Sequence, residues 1–179
     1  MDVRLSHKVL CRLPVVAGVL LLCAGQPLRA ESACNLSKPA GPVILTLTGD
    51  IACTNAPGRA DFDRSMLESL GMRKLTTRTH WHDRAVAFEG PLARDVLAAA
   101  GAGGKTARAV ALNDYSVEIP LSDFEAYGVL FALKQDGRFM RVRDKGPIWI
   151  TYPRDQHPEL DTKTIRDRWI WQLRTLEVR

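Results

Sequence analysis

Short β-prone runs, broken by turn residues, constrain the fold of this chain more than any other feature. Apolar and β-branched stretches such as Val43–Leu47 and Val129–Leu133 recur along the sequence and end near glycine, proline, asparagine or aspartate. Helical periodicity is confined to a few short segments, so strands do not alternate regularly with helices. The pattern therefore predicts an α+β fold with a mainly antiparallel or mixed β-sheet and a few short helices.

Three segments carry helix signals. Asp63 is placed to cap a first helix, and Pro91 and Gly101 bound a second one that has a clear apolar face. Ser122 and Glu125 have the spacing of a capping box, which predicts a third, short helix.

The C-terminal half is predicted to contain a hairpin, a loop and a closing strand. Asn113-Asp114 separates two β-prone runs as a hairpin turn, and residues 153–164 are polar and proline-punctuated, which is typical of a loop. Trp169, Trp171 and Leu173 share one face of the predicted last strand, with Ile170 and Gln172 on the other, so we expect the two tryptophans in the core; a role in stacking on a ligand is the alternative. We expect the core to include Leu45, Leu47, Phe88, Val96, Leu97, Val117, Ile119, Leu130, Ile148, Ile150 and Leu173.

The N-terminus has the features of a secretory signal. Basic residues precede the apolar run Leu13–Ala24, and Leu28-Arg29-Ala30 resembles a cleavage site. This predicts a signal peptide over residues 1–30 and a single domain over residues 31–179, exported to the periplasm or secreted. An uncleaved membrane anchor is the alternative reading of the same run.

The charge of the chain argues against nucleic acid as a partner. Of the 25 basic and 20 acidic residues, residues 1–30 hold four and one, which leaves the remainder with a net charge of only about +2. A domain that binds nucleic acid through bulk charge carries a larger excess.

Export changes how the cysteines are interpreted. Cys34 and Cys53 are the two cysteines that remain after residue 30, and an oxidising compartment favours a structural disulfide between them. A redox-active pair is the alternative, although the C-x-x-C spacing typical of such pairs is missing.

The stretch Arg141–Pro153 combines a cationic row with a buried-strand pattern. If its first half is extended, Arg141, Arg143 and Lys145 point to one side, and Gly146-Pro147 then turns into a strand rich in β-branched residues. This predicts an anion or phosphate site at the turn. A solvated basic face is the alternative.

His80 and His82 could lie on one face of an extended segment. A metal site would need Asp83 or His157 as a further ligand, and packing or surface roles are the alternative. The chain lacks a G-x-S-x-G motif, which argues against a serine hydrolase.

The segment Phe88-Glu-Gly-Pro-Leu-Ala-Arg-Asp-Val-Leu-Ala-Ala-Ala-Gly101 resembles the "W-x-G-v-P-L-x-d-L-L-x-x-A-G" segment of the oxidoreductase molybdopterin-binding domain, the sulfite oxidase family. Residues 111–121 and 136–153 and the closing Ile170-Trp171-Gln172-Leu173 follow in that family's order. The resemblance implies the family's mixed α+β fold and a molybdopterin cofactor.

The chain departs from the family where the metal is held. Catalytic members carry a molybdenum-ligating cysteine upstream of the quoted segment, whereas Leu75–Asp83 offers threonines and histidines. The chain therefore resembles a short, exported relative that lacks the metal's thiolate. No residue is predicted as a metal ligand, and the predicted cofactor- or anion-binding residues are Arg78, His80, His82, Asn113, Asp114, Arg143, Lys145 and Gly146.

Two functions are compatible with these features. The first is a molybdopterin-dependent oxidoreductase that binds a pterin or other oxyanion for redox chemistry. The second is a non-catalytic periplasmic binding or sensor module that holds a small anion, a pterin, or a periplasmic or membrane-bound protein partner.

Overall fold

The structure is a computed structural model that describes Cys34 and residues 36–179. The predicted signal peptide over residues 1–30 lies outside the described residues.

The described part of the chain is built from short strands and shorter helices. The strands are β1 Val43–Gly49, β2 Ala60–Asp63, β3 Arg73–Arg78, β4 Ala85–Gly90, β5 Thr106–Ala111, β6 Ser116–Pro120, β7 Leu130–Ala132, β8 Lys134–Gln135, β9 Arg138–Phe139, β10 Trp149–Thr151 and β11 Leu173–Val178. The α-helices are α1 Arg64–Ser69, α2 Ala93–Ala99, α3 Leu121–Ala126 and α4 Lys163–Asp167, and 3₁₀ turns cover Val142–Asp144 and Pro158–Leu160. The expected α+β class is confirmed. No helix in this part of the chain is long and apolar enough to cross a membrane.

The strands form two sheets and a separate pair. A five-stranded mixed sheet has the order β2-β1-β11-β5-β6, in which β1 and β11 run parallel and the other pairs are antiparallel. A four-stranded antiparallel sheet has the order β3-β4-β8-β9, and β7 pairs with β10. The last strand thus lies in the middle of the larger sheet, between the first strand and the hairpin β5–β6.

The core follows the alternation of the strands. Leu45 and Leu47 on β1 are fully buried, whereas Val43 at its start is 47% exposed. Ten of the eleven predicted core residues are buried, and Val117 is partly buried. Period-two patterning therefore identified the core, because one face of each strand packs against the rest of the domain.

Asp63 caps α1 as predicted. Its carboxylate accepts hydrogen bonds from the Ser65 hydroxyl and from the backbone N–H groups of Met66 (2.9 Å) and Gly41 (2.7 Å). These donors hold the pKa of Asp63 well below its usual range. The same side chain thereby ties the segment before β1 to the start of the helix.

The second predicted helix is confirmed, but the capping box of the third is wrong. Helix α3 begins at Leu121, and its N-cap residue Pro120 makes no side-chain capping bond. The backbone N–H of Leu121 instead donates to the Lys105 carbonyl at 2.9 Å. A bond from the neighbouring hairpin thus satisfies the donor of the first helical residue, while Ser122 lies inside the helix.

The predicted disulfide is confirmed: Cys34 and Cys53 are joined, at a sequence separation of 19. It links the segment before β1 to the loop after that strand, where Cys53 is buried.

Removal of this disulfide is expected to lower the free energy of unfolding by about 3 kcal/mol, because the cross-link restricts a loop of this length in the unfolded chain. Cys34→Ser is the suitable variant, since Cys34 is exposed and its loss leaves no cavity in the core. Urea denaturation of the variant and of the wild type, each with and without reductant, measures the difference. Equal midpoints for the oxidised wild type and the variant would contradict the prediction.

The cationic row predicted on an extended segment is wrong. Residues Val142–Asp144 form a 3₁₀ turn in which the Asp144 N–H donates to the Arg141 carbonyl at 2.7 Å. The Arg141 side chain also binds the Asp144 carboxylate, with Nε 2.6 Å from Oδ2. This local i, i+3 pairing favours the turn over a strand, so Arg141, Arg143 and Lys145 do not share a strand face. The predicted strand after Pro147 is confirmed as β10.

The expected location of Trp169 and Trp171 on the closing strand is also wrong. Strand β11 begins at Leu173, after Gln172 adopts a left-handed conformation with φ 55°. The preceding residues, predicted as part of a loop, contain the 3₁₀ turn Pro158–Leu160 and the start of α4, which Thr162 caps through the Ile165 N–H at 3.2 Å. Trp169 and Trp171 therefore lie in the connection between α4 and β11.

Candidate functional site

The four tryptophans of the chain meet in one cluster, although they come from three separate segments. Trp81 lies in the loop between β3 and β4, and its ring centroid is 5.7 Å from that of Trp149 on β10. The connection before β11 adds Trp169 and Trp171, at 6.2 Å and 5.2 Å from Trp81. We call these four residues the tryptophan cluster.

The tryptophan cluster has a closed side and an open side. Trp149 is fully buried and Trp169 is 2% exposed, whereas Trp81 is 36% exposed. Large aromatic rings that reach the surface beside a buried aromatic core offer flat apolar area to a ligand.

A cleft opens on this exposed side, and we call it the tryptophan cleft. Its volume is about 260 Å³, and its lining residues are Trp81, Ala111, Asn113, Tyr115, Arg166, Asp167, Trp169, Ile170 and Trp171. Four of these nine side chains are aromatic, while the Asn113 amide, the Arg166 guanidinium and the Asp167 carboxylate add polar groups. The cleft can therefore take a flat ring and recognise polar groups on it.

Arg166 supplies a positive charge to the tryptophan cleft. It lies on α4, is exposed, and makes no side-chain hydrogen bond or ion pair with another described residue. The adjacent Asp167 is tied to the opposite wall, since its backbone carbonyl accepts from the Tyr115 hydroxyl at 3.3 Å. A guanidinium with free donors beside aromatic walls is suited to a carboxylate or another oxyanion.

Lys145 lies against the tryptophan cluster. Its Nζ is 4.7 Å from the ring centroid of Trp149, 5.6 Å from that of Trp171 and 5.7 Å from that of Trp81. No described carboxylate pairs with this ammonium group. Burial lowers the pKa of Lys145, while the ring faces attract its charged form.

His82 approaches the same rings from the loop after β3. Its Nδ1 is 2.7 Å from the Thr79 hydroxyl oxygen, and its Nε2 is 3.2 Å from Nε2 of Gln135. The amide N–H of Gln135 donates to Nε2, so the proton of the neutral ring resides on Nδ1 and faces Thr79. Burial and then the charge of Lys145 lower the pKa of His82, which favours the neutral ring near pH 7.

His80 points to a different environment. Its Nε2 is 3.5 Å from the Asp161 carboxylate, and burial followed by the charges of Arg154 and Arg166 lowers its pKa. His80 and His82 thus contact different side chains. Within the described part of the chain, no group of three histidine, cysteine, aspartate or glutamate residues could hold a metal ion.

The structure brings some of the predicted site residues together. His82 and Lys145 lie near each other against the tryptophan cluster, and Asn113 lines the tryptophan cleft. His80 lies two residues after β3, and its ring meets that of Trp81 edge-on at 5.9 Å.

The other predicted residues lie elsewhere. Arg78 is exposed and pairs with Asp155 at 3.2 Å, and Asp114 pairs with Arg174 at 3.1 Å in the hairpin. The Arg143 side chain is 70% exposed. Gly146 is buried, and a Cβ there would overlap the Met140 carbonyl oxygen, so its role is close backbone packing.

Sequence analysis did not identify Trp81, Tyr115 and Arg166 as cleft residues. It assigned Trp169 and Trp171 to a core strand. The high share of tryptophan among the aromatic residues was the available signal. That signal could not identify Arg166. This residue lies on α4, and the polar composition of residues 153–164 had indicated a loop where that helix begins.

The predicted cofactor-binding residues do not form one cluster among the described residues. Cys34 and Cys53 are bonded to each other, so neither offers a thiolate. Arg78 is exposed and paired with Asp155, and Arg143, in the turn that Lys145 ends, has a side chain that is 70% exposed. A ligand held at the tryptophan cleft would instead be bound by aromatic faces and Arg166.

No protein-family model matches this chain, and no curated protein is significantly similar to it. The resemblance to the molybdopterin-binding domain rests on the quoted sequence segments.

Proposed function

We propose that this chain is an exported, non-catalytic binding module that holds a small planar anion, such as a pterin carboxylate, in the tryptophan cleft. The observation that carries the proposal is the position of the Arg166 guanidinium, which has no hydrogen-bond or ion-pair partner among the described residues, on the wall of a cleft that contains tryptophan and tyrosine rings. Rings and cation together match a flat ligand that bears a carboxylate or a similar oxyanion.

The size of the tryptophan cleft limits the ligand. About 260 Å³ is just below the roughly 300–1,000 Å³ of typical ligand pockets. A single fused ring system with a short substituent suits this space, whereas a dinucleotide does not. Stacking of a planar ring on aromatic side chains stabilises such a complex by roughly 1–3 kcal/mol for each ring.

Arg166 contributes a positive charge to this wall of the cleft, which the Asp167 carboxylate also lines. The Arg166 charge lies near that of Arg154. After burial, these two charges lower the pKa of His80 and so disfavour its charged form. Arg154 is paired with Asp161 at 2.7 Å, so Arg166 is the cation of this group whose donors are free among the described residues. An incoming carboxylate would offset this local positive charge.

Export of the module is supported by the apolar N-terminal run and by the disulfide, which persists in an oxidising compartment. The binding role is thus proposed for the periplasm or the extracellular space.

Arg166→Ala is expected to weaken binding of pterin-6-carboxylate by about ten- to a hundredfold, because a charge-assisted hydrogen bond contributes roughly 1.5–3 kcal/mol. Quenching of tryptophan fluorescence on titration measures the affinity. The melting temperature should change little, since Arg166 is exposed and its side chain makes no hydrogen bond or ion pair with another described residue.

Two controls make this test specific. Arg143→Ala removes an equally charged, exposed side chain outside the cleft and should leave binding unchanged. Wild type and Arg166→Ala should bind 6-methylpterin, which lacks the carboxylate, with equal affinity. Unchanged binding of the carboxylate by Arg166→Ala, or a loss with Arg143→Ala instead, would refute the assignment of the anion to Arg166.

A molybdopterin-dependent oxidoreductase with the sulfite oxidase fold is the second candidate function. It is supported by the order of the family-like segments and by the approach of His82 and Lys145 near the loop that follows β3. Elemental analysis of protein purified from molybdenum-replete cells separates the two functions. Stoichiometric molybdenum would favour the oxidoreductase, and its absence together with pterin binding would favour the module.

A further inference from the structure

An arginine-rich segment with two exposed apolar side chains lies outside the tryptophan cleft. It begins at β9, the edge strand of the four-stranded sheet, and runs into the 3₁₀ turn Val142–Asp144. Together with two cations that contact it, this segment forms what we call the basic patch. The basic patch consists of Arg64, Lys134, Arg138, Phe139, Arg141, Val142 and Arg143.

The apolar residues of the basic patch are unusually open to solvent. Phe139 is 40% exposed and Val142 is 51% exposed, whereas the intervening Met140 is buried at 5%. Two large apolar side chains thus project from a segment that Met140 anchors in the core. Apolar side chains exposed in this way gain no stabilisation from burial unless a partner covers them.

Cations surround Phe139. The guanidinium carbon of Arg64 is 4.5 Å from its ring centroid, and Nζ of Lys134 is 4.6 Å from it. Arg138 and Arg141 line the same shallow depression as Phe139, which shares no residue with the tryptophan cleft. Two cations therefore contact the exposed ring, and two more line the depression beside it.

The charge of this region is strongly asymmetric. The basic patch holds five cations; the neighbouring Asp144 pairs with Arg141 and lies 3.9 Å from Arg143, and Asp136 in the β8–β9 turn pairs with Arg84 outside the patch. Residues 31–179 together carry a net charge of only about +2, so the rest of this part of the chain is on balance negative. A concentrated positive face on a nearly neutral domain selects an anionic partner.

We propose that the basic patch docks this protein on an anionic phospholipid surface, with the arginines at the headgroups and Phe139 and Val142 inserted between them. Two separated apolar side chains bury too little area for a stable protein–protein interface, which needs on the order of 1,000 Å² or more. A lipid surface requires less: a few apolar side chains at the headgroup boundary and a cluster of Lys or Arg suffice for reversible binding.

Co-sedimentation with lipid vesicles tests the proposal. The wild type should bind vesicles of phosphatidylcholine and phosphatidylglycerol but not vesicles of phosphatidylcholine alone, and binding should weaken as salt is raised. Each basic residue near an anionic surface contributes about a fivefold increase in partitioning, so Arg138→Ser/Arg141→Ser/Arg143→Ser should reduce binding at least tenfold. Phe139→Ser/Val142→Ser should retain salt-dependent binding but bind more weakly than the wild type.

A charge-matched control is Lys105→Ser/Arg108→Ser/Lys163→Ser, which removes three cations that make no ion pair or cation–π contact with the basic patch. It should bind anionic vesicles nearly as well as the wild type. All variants share residues 1–33, so any contribution of the apolar N-terminal run cancels in the comparison. Equal losses for the two triple variants, or equal binding to neutral and anionic vesicles, would overturn the proposal.

Discussion

Trp149→Ala is expected to lower the free energy of unfolding by roughly 3–5 kcal/mol, the range for truncation of a large buried aromatic side chain. Trp149 is fully buried and its ring lies 5.3 Å from that of Phe88 and 5.7 Å from that of Trp81. Its indole N–H also donates to the Trp169 carbonyl at 3.2 Å. The substitution therefore leaves a cavity and an unpaired carbonyl in the same place.

Denaturant unfolding followed by circular dichroism measures this loss. Trp81→Ala is the matched control, because Trp81 belongs to the same cluster but is 36% exposed. It should cost clearly less stability, yet it should abolish most pterin binding because its ring lines the tryptophan cleft. Equal destabilisation by the two substitutions would mean that Trp149 is not the centre of the cluster.

Local patterns predicted most of the fold because the determinants of its strands are local. The alternation in β1, the Asp63 cap and the Asn113-Asp114 turn each depend on residues close together in sequence, and all three are present in the structure. The pairing of β1 with β11 in parallel is different, since it joins the two ends of the domain. No period in either strand specifies that partner.

The errors arose where two local preferences compete. Arg141–Lys145 has the period-two charge pattern of a strand, but the i, i+3 pair of Arg141 and Asp144 favours a turn. Trp169 and Trp171 also have period two, yet they follow the end of α4 and precede β11. Periodicity over so few residues does not distinguish a strand from an irregular connection.

The tryptophan cleft could not be predicted from sequence for a physical reason. Its lining comes from the loop at Trp81, the hairpin turn at Asn113 and the end of α4, which are far apart in the chain. Only the packing of the two sheets brings them together. The position of Arg166 on that cleft is likewise a result of the tertiary structure and not of any motif around it.

Arg168→Met is expected to be as destabilising as the loss of Trp149, at roughly 3–5 kcal/mol, because it leaves a buried carboxylate without its cation. The Asp123 carboxylate accepts from Arg168 Nη1 at 2.6 Å and from the Tyr152 hydroxyl at 3.0 Å. The side chains of Arg168 and Asp123 are only 17% and 10% exposed, and Tyr152 is fully buried. Asp123 lies on α3, Tyr152 follows β10, and Arg168 ends α4, so their hydrogen bonds connect these three elements.

Comparison with an exposed ion pair isolates the effect of burial. Arg84 and Asp136 form such a pair on the surface, and Arg84→Met should change the urea midpoint little. The double variant Asp123→Leu/Arg168→Met should recover much of the stability lost in Arg168→Met, since it removes the buried charge together with its partner. If Arg168→Met unfolds at the same urea concentration as Arg84→Met, the buried pair does not stabilise the fold.

The pH dependence of unfolding provides a second readout of this network. Burial, and next the negative charge of Asp123, raise the pKa of Tyr152 well above its ordinary value of about 10. Below pH 10 the hydroxyl is neutral in both states and its stabilisation is fully present. Above pH 10 the unfolded chain ionises while the folded protein does not, so stability falls as the pH rises towards the folded-state pKa. Tyr152→Phe should lack this part of the alkaline decline, and an identical decline in wild type and variant would show that Tyr152 does not titrate differently on folding.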